Sequence, residues 1–466
     1  MRRASRVAAT AAGVAVLVLS STMPAAADVV DDGQWYIDVY EIERFHDQGI
    51  DGSGVTIAVI DDYINPDAPP LEGANVTVHE ENFCHGADGE SLGSVVTDEW
   101  PLADHGTNVT AMIAGTGAGP GGTEGILGIA PGAHVRFYGV GSGIDDPCYA
   151  SVPAQYRPSQ DDDEDLSFAD DLGNAVDNAL LQAFADGADI VSVSMGYGTG
   201  QATEEILALM QRHGVLFANS VRNAGAEDAS QGLSKANGVV GVTSVAADGY
   251  PQLRNADQYD SREEALDDTW ADWMIGFETD IAAPGIDVLN IGGENWDQQG
   301  TATGTSLATP ILAGNLALAM QANPEATPHQ ILQLLIHNTG TDAPHEPVFD
   351  ETGMFGYGYL DTISLLADDA TAYDDVNPFV DTSITNDDIG GPSAAEIAAA
   401  GNADTTVTAS PDPSASASDG ATDTPPAPDS EGGVPTIVWV IVAGVVALVV
   451  AIAVIVVVAT RNRRST

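Results

Sequence analysis

The sequence predicts an α/β domain built on a doubly wound parallel sheet, and three observations predict it. Short β-branched runs alternate with longer helical patterns from about Asp28 to Leu366. Runs such as Val55–Ile60 and Val239–Ser244 are almost continuously apolar, as strands covered on both faces are. Strands that alternate with helices pair in parallel through helical crossovers, and such sheets carry their sites beyond the carboxyl ends of the strands.

The chain opens with Arg2, Arg3 and Arg6, then apolar Val7–Leu19, then Ala25-Ala26-Ala27. A basic start, an apolar middle and small residues at the end predict a secretory signal peptide over 1–27, cut before Asp28. Only Asp28 to about Gly54 precedes the first core strand, and this segment is expected to pack along the domain. The domain itself is expected over 28–366. Its candidate strands are Val55–Ile60, Val135–Val140, Ile190–Ser194, Val215–Ala218, Val239–Ser244 and Ile281–Ala282. Its candidate helices are Asn108–Ala114, Leu166–Ala185, Ala202–Arg212 and Thr305–Met320, in the last of which Pro310 and small residues interrupt the apolar run.

From 367 to 435 the chain is rich in Ala, Ser, Thr, Pro, Gly and Asp. Pro411-Asp412-Pro413 and Pro425-Pro426-Ala427-Pro428 exclude regular structure there. Ala370–Phe379 is close enough to the domain to pack on it, and the rest reads as an acidic linker. Residues 436–460 contain the unbroken apolar run Ile437–Ala459, long enough to span a bilayer, and Arg461, Arg463 and Arg464 follow in a tail over 461–466. The positive-inside rule puts this tail in the cytoplasm and the domain outside, on a single-pass anchor in the cell membrane. Val434-Pro435-Thr436-Ile437 is not the Leu-Pro-x-Thr-Gly motif of a cell-wall sorting signal.

The formal net charge is -55, from 69 acidic and 14 basic residues. Six of the basic residues lie in the two termini, so the exported part is more acidic still. Such a surface excludes nucleic acid and anionic lipid as partners. Cys84 and Cys148 are the two cysteines, and in an exported chain they are expected to form a disulfide.

Three places could carry chemistry together. Thr56–Asp61 is an apolar run ending in a carboxylate. Asp104-His105-Gly106-Thr107 places an imidazole at the expected opening of a helix, with a glycine for close approach. Gly304-Thr305-Ser306-Leu307-Ala308-Thr309-Pro310 sets a hydroxyl at a helix start, where backbone N–H groups favour developing negative charge. A serine there is a candidate nucleophile when an imidazole base and an orienting carboxylate join it.

On Ala58-Val59-Ile60-Asp61, His105-Gly106-Thr107 and Gly304–Pro310, in that chain order, the sequence resembles the subtilisin-like serine proteases. Supporting matches are Gly128-Ile129-Ala130-Pro131-Gly132-Ala133, Ala283-Pro284-Gly285 and Gly356–Asp361. The resemblance implies a subtilisin-like fold and peptide-bond hydrolysis of polypeptide substrates. It implies Asp61, His105 and Ser306 as the catalytic triad and Asn223 as the side-chain donor of the oxyanion hole, with Asn219 as a competing candidate. Ser194-Met195-Gly196 matches the stretch that pairs with substrate backbone. No cofactor is implied. Calcium suits the family, but no aspartate cluster here has a ligand spacing that defines a metal site. Too little chain precedes the first strand for the folded prodomain that many members carry.

Asp62, Tyr63, Asp104 and Arg222 depart from the family pattern beside the catalytic motifs. Carboxylates at 62 and 104 are expected to favour charged His105 and to raise the acidic limb of activity above about 6.5. The order of signal peptide, protease domain, acidic linker, apolar helix and basic tail resembles mycosins, the anchored subtilases of type VII secretion. That resemblance implies a secretion membrane complex as partner. The alternatives are a general degradative surface protease and a catalytically weak scaffold subunit.

Overall fold

The computed structural model describes residues 26–86, 91–141, 148, 168–196, 201–221, 232–255, 258–259, 261–267, 271–273, 278–293, 295–340, 342–350, 352–385 and 391–401. The signal peptide up to Ala25, most of the linker, the apolar segment 436–460, the tail and Asn223 lie outside them. Among the described residues no helix is long and apolar enough to cross a membrane.

Helices α1 (Ala26–Gly33), α2 (Trp35–Val39) and α3 (Ile42–Asp47) precede β1 (Thr56–Asp61) and β2 (Val76–His79). Then come α4 (Trp100–Ala114), β3 (Thr116–Ala118), β4 (Glu124–Leu127), β5 (His134–Gly139), α5 (Phe168–Ala185), β6 (Ile190–Val193), α6 (Gln201–Arg212) and β7 (Leu216–Ser220). The chain continues through β8 (Val240–Val245), β9 (Ile281–Pro284), β10 (Val288–Ile291), β11 (Gln299–Ala302), α7 (Thr305–Ala322), α8 (Pro328–His337), α9 (Thr362–Ala367) and α10 (Ala394–Ala399).

Seven strands form one sheet in the order β2-β5-β1-β6-β7-β8-β9, and every neighbouring pair is parallel. The alternation of faces explains the apolar runs. Ile57 and Val59 of β1 enter the core formed with α4, α7 and α8, whereas Ala58 and Ile60 enter the opposite core with α5 and α6. From β1 the chain goes to the edge strand β2, returns to β5 beside β1, and then builds outward through β6–β9 on the other side. The crevice at the carboxyl ends of β1 and β6 is therefore the switch point of the sheet.

The segment before β1 packs against the domain, as its sequence led us to expect. Gln34 donates to the Gly125 carbonyl at 3.0 Å and accepts from Leu127 N–H at 2.6 Å, so one side chain bonds two residues of β4. Tyr36 and Ile42 are fully buried. The folded part also continues past Leu366, where the sequence placed the start of the linker. Asn237 accepts from Asp381 N–H at 2.6 Å and donates to the Pro392 carbonyl at 2.8 Å, and α10 packs on α6. The early part of this strap packs as expected, with Ala370 buried and Tyr373 and Phe379 against the core, whereas the later part, held by backbone and carboxamide groups, gave no hydrophobic signal. Cys84 and Cys148 form the expected disulfide, with Cα atoms 4.9 Å apart.

Candidate active site

β1 ends at Asp61, whose side chain is completely buried at the carboxyl edge of the sheet. Its Oδ1 accepts from Asp62 N–H at 2.9 Å and lies 2.7 Å from Nδ1 of His105. The His105 side chain is 40% exposed, so the ring spans from the buried carboxylate to the open crevice. Because Nδ1 faces Asp61, Nε2 is the nitrogen left to act as a base.

His105 does not open its helix, contrary to the sequence expectation. α4 begins five residues earlier at Trp100, with Pro101 in its first turn, where a missing N–H costs nothing. Gly106 is needed at its place: a Cβ there would come within 2.3 Å of the Tyr63 carbonyl and 3.0 Å of the Phe137 ring. That contact lets α4 lie directly on the loop after β1 and brings His105 to Asp61. Asn108 then fixes the helix against β10. It donates to the Ile291 carbonyl at 2.9 Å and to the Asp104 carbonyl at 2.9 Å, and it accepts from Ile291 N–H at 2.8 Å. Sequence reading missed Asn108, although its place three residues after His105 in a buried helix was a signal.

Ser306 is the second residue of α7, half-buried, and α7 packs against α4 and against β6 to β9. Pro310 does not break this helix, which runs unbroken through it. Proline lacks the N–H that would satisfy the Ser306 carbonyl four residues earlier. The Ser194 hydroxyl takes its place and donates to that carbonyl at 2.8 Å. Thr305 donates to the Val221 carbonyl at 2.7 Å, which ties the helix start to the end of β7. Gly304 N–H donates to Gly285 at 2.8 Å, and a Cβ on Gly285 would meet the Gly304 carbonyl at 2.7 Å. The Ala-Pro-Gly motif thus forms the floor under the serine.

Asp61, His105, Ser306 and Ser194 therefore belong to elements gathered at one edge of the sheet. Ser194, Met195 and Gly196 follow directly on β6; Ser194 is buried, Met195 half-buried and Gly196 exposed. Asn219 is buried, and its amide donates to the carbonyls of Val193 at 2.8 Å and Met195 at 3.1 Å, which takes its donors away from any oxyanion. Among the described residues no group of three or more His, Cys, Asp or Glu side chains could hold a metal ion.

The electrostatics follow from this crowding. Asp61 raises His105 to about 9 against opposing desolvation, and Asp62 and Asp104 add to the rise. Burial, then the charge of Asp61, raises Asp62 to about 6. Burial raises Asp104 as well.

A parallel α/β sheet with a buried carboxylate–imidazole pair and a helix-start serine over its switch point defines the serine-peptidase class of α/β domains. The Subtilase family (Peptidase_S8) matches residues 52–359, and the chain belongs to it. It is 25% identical over 341 residues to fervidolysin of Fervidobacterium pennivorans, across 70% of this chain and 42% of that protein. It is 27% identical over 292 residues to subtilisin E of Bacillus subtilis (strain 168), across 61% of this chain and 60% of that protein. The chain thus spans about half the length of these curated relatives. The fervidolysin crystal structure is similar at a TM-score of 0.52 and 20% identity, covering 74% of this chain and 47% of that one. MycP1 from Mycobacterium smegmatis is similar at 0.51 and 18% identity, covering 79% and 91%. MycP1 from the ESX-1 type VII secretion system is similar at 0.50 and 18% identity, covering 75% and 88%.

Proposed function

We propose that the chain is a membrane-anchored, extracellular serine endopeptidase that uses Asp61, His105 and Ser306 as its triad. The 2.7 Å contact between wholly buried Asp61 and His105 Nδ1 carries this reading. It leaves Nε2 to accept the Ser306 proton while Oγ adds to the scissile carbonyl carbon. His105 then returns that proton to the leaving amine as the C–N bond breaks. Water repeats the sequence on the acyl-enzyme and releases the second product. Asp61 keeps the ring oriented and stabilises the imidazolium without taking the proton. The developing oxyanion is received by Ser306 N–H at the positive end of α7 and by the Asn223 carboxamide. One such donor contributes about 3 kcal/mol of barrier lowering.

Export and anchoring rest on the signal peptide over 1–27 and the apolar segment 436–460 followed by arginines. The same arrangement of end segments supports a mycosin-like role in type VII secretion, with a secretion membrane complex as partner and a few secreted proteins as substrates. The fold shared with MycP1 is compatible with that role.

A fluorophosphonate probe on intact cells tests the reading. It is expected to label the wild-type chain, to fail on Ser306→Ala, and to give a labelled band that sediments with membranes. No labelling of the wild type overturns the enzyme reading, and a soluble labelled band overturns the anchor.

A further inference from the structure

We infer that Asn219 is a positioning residue for extended substrates: its buried carboxamide holds the strand end Ser194-Met195-Gly196 in the geometry that pairs with a peptide backbone. The inference rests on the proposed endopeptidase reading and names how that site takes a long substrate.

β6 loses both paired neighbours at one point. Its register with β1 ends at Ile60 and Val193, and its register with β7 ends at Val193 and Asn219. Ser194, Met195 and Gly196 therefore leave the sheet, yet a stretch that adds a substrate strand must stay extended and in register. Asn219 sits opposite the last paired residue and is 1% exposed. Its Nδ2 donates at 2.8 Å to the Val193 carbonyl and at 3.1 Å to the Met195 carbonyl. One nitrogen reaches both, so the two carbonyls face Asn219 together across the bend of the chain at Met195. The carbonyl and N–H of Ser194 are displaced from that pair.

The carboxamide thus extends the β7 ladder two residues beyond its backbone. It occupies one edge of the strand end and leaves the other for a ligand. The site needs two hydrogens on one nitrogen. Asparagine supplies both at this reach, aspartate supplies none when ionised, and alanine leaves two buried carbonyls without a donor. The face of the same strand end toward α7 is tied by the Ser194 hydroxyl, which donates to the Ser306 carbonyl at 2.8 Å. The two tethers have different tasks. Ser194 couples the strand end to the nucleophile's helix, and Asn219 sets the strand's direction beyond it.

A residue that sets this direction matters for peptides that lie along the strand and not for acyl groups that reach only Ser306. The test compares full-length wild type with Asn219→Ala on a tetrapeptide anilide and on p-nitrophenyl acetate, with fluorophosphonate labelling in parallel. For Asn219→Ala, kcat/KM on the tetrapeptide is expected to fall about tenfold, mostly through KM. Ester turnover and labelling rate are expected to stay within about twofold, since neither uses the strand. Parallel losses on both substrates, or an unchanged tetrapeptide rate, overturn the inference. If Asn219→Ala does not yield folded protein, Asn219→Ser is measured in the same way, since it keeps a polar atom at the site. A wild type that takes no label sinks the endopeptidase reading itself, so the two failures are distinct.

Discussion

Asp62 and Asp104 distinguish this site at the scale of single residues. They were legible in the sequence as departures from the family pattern, but their effect depends on distance and burial, which only the fold supplies. His105 is raised to about 9, first by Asp61 and further by Asp62 and Asp104. The base must be neutral, so kcat/KM is expected to rise with pH through a limb well above 6.5. Asp62→Asn and Asp104→Asn are each expected to move that limb down by up to about one unit, read from a kcat/KM profile. A wild-type limb at or below 6.5 contradicts this account. Stability runs the other way. The folded value of His105 lies above its ordinary one, so the ion pair stabilises the fold fully below about 6.5, and that contribution is lost as pH rises through about 9. The residues proposed as the triad each sit in a short, locally defined setting, and the structure brings Asp61 within 2.7 Å of His105. Asn223 was named only through resemblance, and it lies outside the described residues.

At the scale of elements, the central strands were readable because their apolar runs are bounded by glycine and polar residues. α5, α6 and α7 were readable from their length. The start of α4 was not, because proline is excluded from helix interiors and only its tolerance in a first turn makes Trp100-Pro101 a beginning. α8 was missed although it carries a capping box, Thr327 with Gln330, in which each side chain bonds the other's backbone. The short strands β10 and β11 were invisible because four residues of mixed character give no period. β10 nevertheless matters, since Asn108 bonds Ile291 in both directions. Asn108→Ala takes the side-chain acceptor from the Ile291 N–H and one of two donors from the Ile291 carbonyl, the other being Asn290, and is expected to cost about 1–3 kcal/mol in denaturant unfolding. It is also expected to lower kcat, because the helix that carries His105 loses its lateral fix. Unchanged kcat in a stable variant would show that α4 is held by other contacts.

For the whole molecule, the disulfide and the strap set how the domain is closed. Cys84 and Cys148 are 64 residues apart in sequence and enclose β5 and α4. Closing a loop of that length stabilises the folded state by about 4 kcal/mol in the chain-entropy model. Reduction, or the Cys84→Ala, Cys148→Ala pair, is expected to lower the unfolding midpoint by a corresponding amount, measured by denaturant titration with and without reductant. An unchanged midpoint would mean that the unfolded chain is already compact there. This pairing was legible because only two cysteines exist in a chain that reads as exported. The strap was legible only over Ala370–Phe379, because beyond it the composition matches that of the linker it continues into.

That strap has a mechanical consequence. A pull applied beyond Gly401 does not reach the sheet first. It meets α10 on α6, and then the Asn237 and Asn377 carboxamides, which bond Pro392, Asp381 and Gly238. Those bonds follow one another along the chain between Pro392 and Asn377, so a pull meets them in turn before it reaches β1, α4 and α7. Tension on a tether would be spent in the last thirty or so residues of the fold, and the geometry around His105 would not register it.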